Sequence, residues 1–168
     1  TLQERGNIDD EEYAEYPNYK LTFRKNNELH RDRDLPAEIF YLDNYVVSEG
    51  WWTNGVLQKT MLYYKTGELS EVHDFRKVHP RPHQVTYFQS GQISQETWDP
   101  QYLRKDELLS IHYYRTGEIR SKVYPGGSDP DKPYFIDYFK TGEVQGEYWD
   151  EPGRDTHYNP LTGEAITF

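Results

Sequence analysis

The chain has 168 residues, a formal net charge of −10 and no cysteine, with a pI near 5.0 and a mean hydropathy of −1.04. That acidity disfavours a nucleic-acid backbone or an anionic bilayer as partner, since both reward Lys and Arg, and it favours a basic protein. Without thiols no disulfide framework forms, and the hydrophobic fraction of 35% is too small for a thick double-layered core.

Residues 1–12 carry Glu4, Asp9, Asp10, Glu11 and Glu12 with little apolar content, and read as an acidic flexible arm. From residue 13 to 168 the chain reads as a single repeat domain. Its unit is clearest at Leu109–Tyr124, where two short runs flank Thr116-Gly117. The same pattern surrounds Gly67, Gly91 and Gly142, at intervals of 24, 26 and 25 residues. A period in the twenties signals a stacked array. A turn residue followed by Gly between alternating runs predicts a β-hairpin. Tyr, Thr, Ile and Val dominate the runs, and no helical periodicity competes. The expected fold is all-β: an elongated, twisted antiparallel sheet of about six repeated hairpins with degenerate capping units.

Taken in order, the first unit is eroded, with Tyr13 and Tyr16 ahead of Tyr19 in the glycine slot. The polar stretch Lys25–Asp34 reads as an exposed linker. In the second unit Tyr45 takes the glycine slot. A tyrosine with φ > 0 is costly, so a different turn is expected there, with Asn44 left-handed. Asn54-Gly55 is a strong hairpin signal. The third unit runs into Lys77–His83, whose prolines exclude regular pairing. The fourth and fifth are regular, Pro125–Pro133 forms a loop, and Asn159–Ala165 is a truncated closing unit.

Counting from the turn glycine, alternation puts positions −6 and −4 on one face, with +2 and +4 on the returning strand. The other face then carries the −3 aromatics Tyr64, Phe88, Tyr114 and Phe139. It also carries the +7 aromatics Trp52, Trp98, Tyr124 and Trp149. These eight are the candidate binding residues, since Tyr and Trp are favoured interface anchors. The alternative is that twist and loops cover them as a second layer of core.

No catalytic constellation emerges, so no enzyme is expected. His30-Arg31-Asp32 imitates a kinase triplet without its companions. His73, His79 and His83 match no zinc spacing. The recurrent Glu68, Glu118, Glu143 and Glu164 read as turn chemistry rather than as acid/base pairs. Neither metal nor cofactor is expected. No signal sequence or membrane span is visible, and the expected location is the cytoplasm.

The recurrent Tyr-Tyr-x-Thr-Gly-Glu-Leu/Ile pattern, carried by Tyr63-Tyr64…Gly67, Tyr87-Phe88…Gly91, Tyr113-Tyr114…Gly117 and Tyr138-Phe139…Gly142, resembles the MORN repeat. The resemblance is to the variant found in bacterial antitoxin- and immunity-type proteins, and it covers roughly residues 13–168. It implies a hairpin array that binds another macromolecule, with a role in neutralising a basic protein partner. The His-Gly-x-Gly segment of the ordinary unit is absent, which bears against a scaffold role at a membrane. A glycan- or choline-binding surface module, suggested by Gly50-Trp51-Trp52, is the remaining alternative, since aromatic boxes attract quaternary ammonium.

Overall fold

The computed structural model describes residues 18–76, 80–104, 107–126 and 131–166. The acidic arm, Tyr13, Tyr16, His79 and the Gly127–Pro130 part of the long loop lie outside the described residues. The chain divides into two compact units, Thr1–Lys77 with Gln89–Gly91, and Val78–Phe88 with Gln92–Phe168.

The expected all-β architecture is present. In the first unit β1 (Asn18–Thr22), β4 (Glu38–Leu42), β5 (Tyr45–Thr53), β6 (Val56–Tyr63) and β7 (Leu69–Asp74) pair antiparallel in that order. A separate ribbon joins β2 (Arg24–Lys25) to β3 (Glu28–Leu29). In the second unit β8 (Gln84–Tyr87), β9 (Ile93–Thr97), β10 (Ser110–Tyr113), β11 (Ile119–Val123), β12 (Phe135–Tyr138), β13 (Val144–Tyr148), β14 (Thr156–Tyr158) and β15 (Ala165–Ile166) pair antiparallel in chain order. One short 3₁₀ turn, Pro100–Tyr102, interrupts them. Among the described residues no helix is long and apolar enough to cross a membrane.

Two kinds of turn build the hairpins. At each Thr-Gly turn a three-residue loop ends on a left-handed glycine, as at Gly67 with φ 96°. The Gly67 N–H donates to the Tyr64 carbonyl at 2.9 Å, and the Tyr64 N–H donates to the Glu68 carbonyl at 2.8 Å. The second unit of the repeat pattern instead turns on two residues, Asp43 and Asn44, with φ of 47° and 67°. Asn54-Gly55 turns the same way, as expected, with φ of 49° and 74°.

Three sequence expectations need correction. Tyr19 does not form a turn. It lies inside β1 opposite Tyr41, with the rings stacked at 4.4 Å, because the run Asn18–Thr22 carries the alternating β-formers of a strand. The Lys25–Asp34 stretch is not a plain exposed linker. Asn26 and Asn27 take φ of 52° and 67° and turn the β2–β3 ribbon. His30 and Arg31 behind it are half-buried. The third correction concerns the faces. Tyr63 lies opposite Leu69 but Leu62 lies opposite Glu71, which leaves Ser70 as an extra residue. The same β-bulge falls on Ser94, Arg120 and Gln145 at +3, and on Val47 in β5. Beyond the bulge every side chain is on the face opposite to the simple count, because the side-chain period is two. Position +4 therefore joins −5, whereas +5 and +7 join −4 and −6.

Candidate binding face

With the bulge in place, one face of the second unit carries a single row across seven strands: Val85, Glu96, Ile111, Lys122, Ile136, Glu147 and Thr156. Aliphatic side chains at −6 alternate with charged ones at +5. Beside this row run the −4 tyrosines. The Tyr113 hydroxyl donates to Glu96 Oε2 at 2.5 Å, and that of Tyr158 donates to Glu147 Oε2 at 2.8 Å. The first unit repeats the device, with the Tyr63 hydroxyl donating to Glu49 Oε2 at 2.5 Å. Each bond joins the tyrosine of one hairpin to the carboxylate of the hairpin before it. Between the two carboxylates of the second unit, Lys122 places its ammonium 5.4 Å from the Tyr138 ring centroid.

The electrostatics follow from this order. Burial, followed by the bond to the neighbouring carboxylate, pushes the Tyr63 and Tyr113 phenols well above their ordinary range. Tyr87 and Tyr138 rise for the same first reason, with Glu96 and Glu147 adding to it. For Tyr158 the bond to Glu147 is the larger cause and burial the smaller.

The opposite face has different chemistry. Its central row is Thr86, Gln95, His112, Ser121, Asp137, Gly146 and His157. Burial, then the nearby Arg120, lowers the His112 pKa. Burial raises that of Asp137 against the opposing pull of Arg120, His112 and His157. Ser110 Oγ is 3.4 Å from His112 Nε2, long for a hydroxyl bond. Ser121 separates His112 from Asp137 in the row. Nucleophile, base and orienter are therefore not linked as acyl transfer requires. Tyr148 meets Phe135 and His157 edge-on, with centroids 5.3 and 5.5 Å away.

The eight sequence-predicted binding residues do not share a surface. Tyr64, Phe88, Tyr114 and Phe139 close the turns on the opposite face. Trp98, Tyr124 and Trp149 follow +5 onto the tyrosine face. The repeat's +7 place in the β4–β5 hairpin belongs to Trp51 rather than Trp52, because a two-residue turn shortens the count by one. Trp51 donates its Nε1–H to the Asp34 carbonyl at 3.1 Å, just as Trp98 donates to Pro80 at 2.9 Å. Trp52 lies over Gly50 instead. All eight are half-buried, and several already have internal work. Tyr114 donates its hydroxyl to the Tyr138 carbonyl at 2.8 Å, and Arg154 covers the Trp149 ring at 3.8 Å.

Of the charged residues beside the −4 tyrosines, Glu96, Lys122 and Glu147 were expected on the face of the −3 aromatics, and Glu49 was not singled out. Their signal was an alternation of charged and aliphatic residues, visible only once the bulge is known. His73, singled out there with His79 and His83, is bonded to Glu71 and stacks on Phe75 at 5.9 Å. Comparison with family models, with curated proteins and with solved structures found no match for this chain.

Proposed function

We propose that the chain is a non-enzymatic repeat array of the MORN-variant kind that binds another protein, its partner basic, in the manner of an antitoxin or immunity protein. The observation that carries this reading is how little of the apolar surface of the strands is buried. Among the described residues Ala37 and its neighbour Pro36 are the buried apolar side chains, and no large side chain is fully buried. Half-covered rings on a sheet suit a protein interface, where Tyr and Trp act as anchors. The net charge of −10 favours encounter with a basic surface.

The test is affinity capture from native extract, followed by hydrogen-exchange mapping of the complex. A retained basic protein that protects strands of either unit, with binding that weakens as salt rises, is the expected result. A chain that retains no protein at low salt would end the proposal.

A further inference from the structure

We infer that the tyrosine face of the second unit carries two sockets for arginine side chains of the basic partner, one at Glu96 between Tyr87 and Tyr113, the other at Glu147 between Tyr138 and Tyr158. The inference rests on the protein-binding reading above and names where that partner is held.

Both carboxylates are half-buried, and each accepts one bond on Oε2, from Tyr113 or Tyr158. A carboxylate has room for about four donors. Among the described residues neither has a cation within ion-pair distance. Partly desolvating an anion is unfavourable unless a charge answers it. A clamp between hairpins needs only an acceptor, which a neutral glutamine would supply, so the charge is surplus to the clamp. A carboxylate flanked by two phenol rings suits a guanidinium, which bonds the oxygens in its plane and stacks on an aromatic face.

Spacing adds selectivity. Glu96 in β9 and Glu147 in β13 are four strands apart, or about 19 Å at the usual strand separation. Lys122, on the strand midway between them, holds its ammonium 5.4 Å from the Tyr138 ring centroid and repels a third cation. A partner with two arginines at that separation fits, whereas a continuous run of positive charge does not.

The test is titration of the intact protein with two blocked peptides, Arg-(Gly-Ser)4-Arg and Arg-(Gly-Ser)4-Gly, followed by NMR. A flexible linker of this length reaches roughly 16 Å, close to the separation of the sockets. The two-arginine peptide should bind at least tenfold tighter than the one-arginine peptide. That gain should vanish in Glu96→Gln and in Glu147→Gln. It should persist in Glu118→Gln and Glu143→Gln, which remove the same charge from exposed turns. It should also persist in Tyr113→Phe, which removes the clamp and keeps the carboxylate. No gain in the wild type overturns the inference, and that comparison decides even where a variant fails to fold. So does an equal loss in the turn variants, or a response to choline chloride with none to arginine. If capture yields a partner that Glu96→Gln and Glu147→Gln still hold unchanged, the sockets fail while the protein-binding reading stands.

Discussion

The two units cover their sheets by different means. In the first, the segment after β1 folds back over the strands. Arg31 sits 3.7 Å above the Phe23 ring, Trp51 is tied to Asp34, and Ala37 is completely buried. In the second, all the buried positions among the described residues lie within the strands and are small: Ser110 at 6% and Ser121 at 4% exposure, together with Gly146. Among the described residues of the first, Gly50 in β5 is the one of this kind. The comparison teaches that a sheet one layer thick can hide only small residues. At Gly50 and Gly146 the rings of Trp52 and Tyr148 lie over the small residue, half-covered themselves, and such pairs are where added volume should cost most.

The largest expected effect tests that idea at its tightest pair. A Cβ on Gly50 would stand 2.9 Å from Trp52 Nε1 and 3.5 Å from Glu38 Cβ, so Gly50→Ala must displace the indole. A loss of about 2 kcal/mol is expected from overpacking of this kind, read as a lower denaturant midpoint together with a shift in tryptophan emission. In the second unit, Gly146→Ala meets Tyr148 at 3.3 Å and His157 Nδ1 at 3.4 Å. Those groups need to give by only a few tenths of an ångström, and about 1 kcal/mol is expected. Equal costs at the two glycines would erase the distinction between the units.

Next in size is Tyr113→Phe, which removes a hydrogen bond to a carboxylate and should cost about 1 kcal/mol, given how exposed the pair is. Tyr138→Phe, whose ring faces Lys122, should cost under about 0.5 kcal/mol. A double-mutant cycle of Tyr113→Phe with Glu96→Gln isolates the coupling. A coupling of zero would mean that neighbouring hairpins are not joined by this bond.

The same bonds set the behaviour in alkali, which sharpens the comparison because the two most strongly raised phenols fall one in each unit, Tyr63 in the first and Tyr113 in the second. Tyr63 and Tyr113 hold their protons in the folded protein beyond the pH at which an unfolded tyrosine, with a pKa of about 10, releases its own. Their contribution to stability is therefore whole below about pH 10 and is lost as the pH climbs toward the folded values. Absorbance at tyrosinate wavelengths should show a lagging fraction that ionises only as the fold melts. Tyr63→Phe and Tyr113→Phe should each remove part of that lag.

The smallest effect belongs to the turns. The Thr66 hydroxyl, followed by the Glu68 backbone, lowers the pKa of the exposed Glu68 carboxyl. Thr66→Val should return Glu68 toward the ordinary carboxylate range in an NMR titration and leave the thermal midpoint unmoved. A large drop in that midpoint would show that the turn edge contributes more than its exposure suggests.

Much of this architecture was legible in the chain itself. The Thr-Gly turns, the Asn54-Gly55 turn and the left-handed Asn44 announce themselves because backbone sterics leave few residues able to adopt φ > 0. The bulge did not announce itself. Its extra residues are Ser70, Ser94, Arg120 and Gln145, none of which carries a conformational signature, and it is detectable only from which residue faces which. The candidate site was lost with it. Counting straight through put Trp98 and Trp149 on the wrong face together with Glu96, Lys122 and Glu147, which hid their row beside the −4 tyrosines. Asn26-Asn27 was a readable turn signal hidden inside a charged stretch that looked like linker.

That one-residue hiccup at +3 also makes the protein's outward chemistry unusually easy to rewrite. Deleting Ser94 alone would leave the turn untouched, yet rotate Glu96 and Trp98 through to the far side and bring Gln95 and Thr97 forward. A lineage carrying this fold could thus trade one recognition surface for another by losing a single codon, with no new side chain invented.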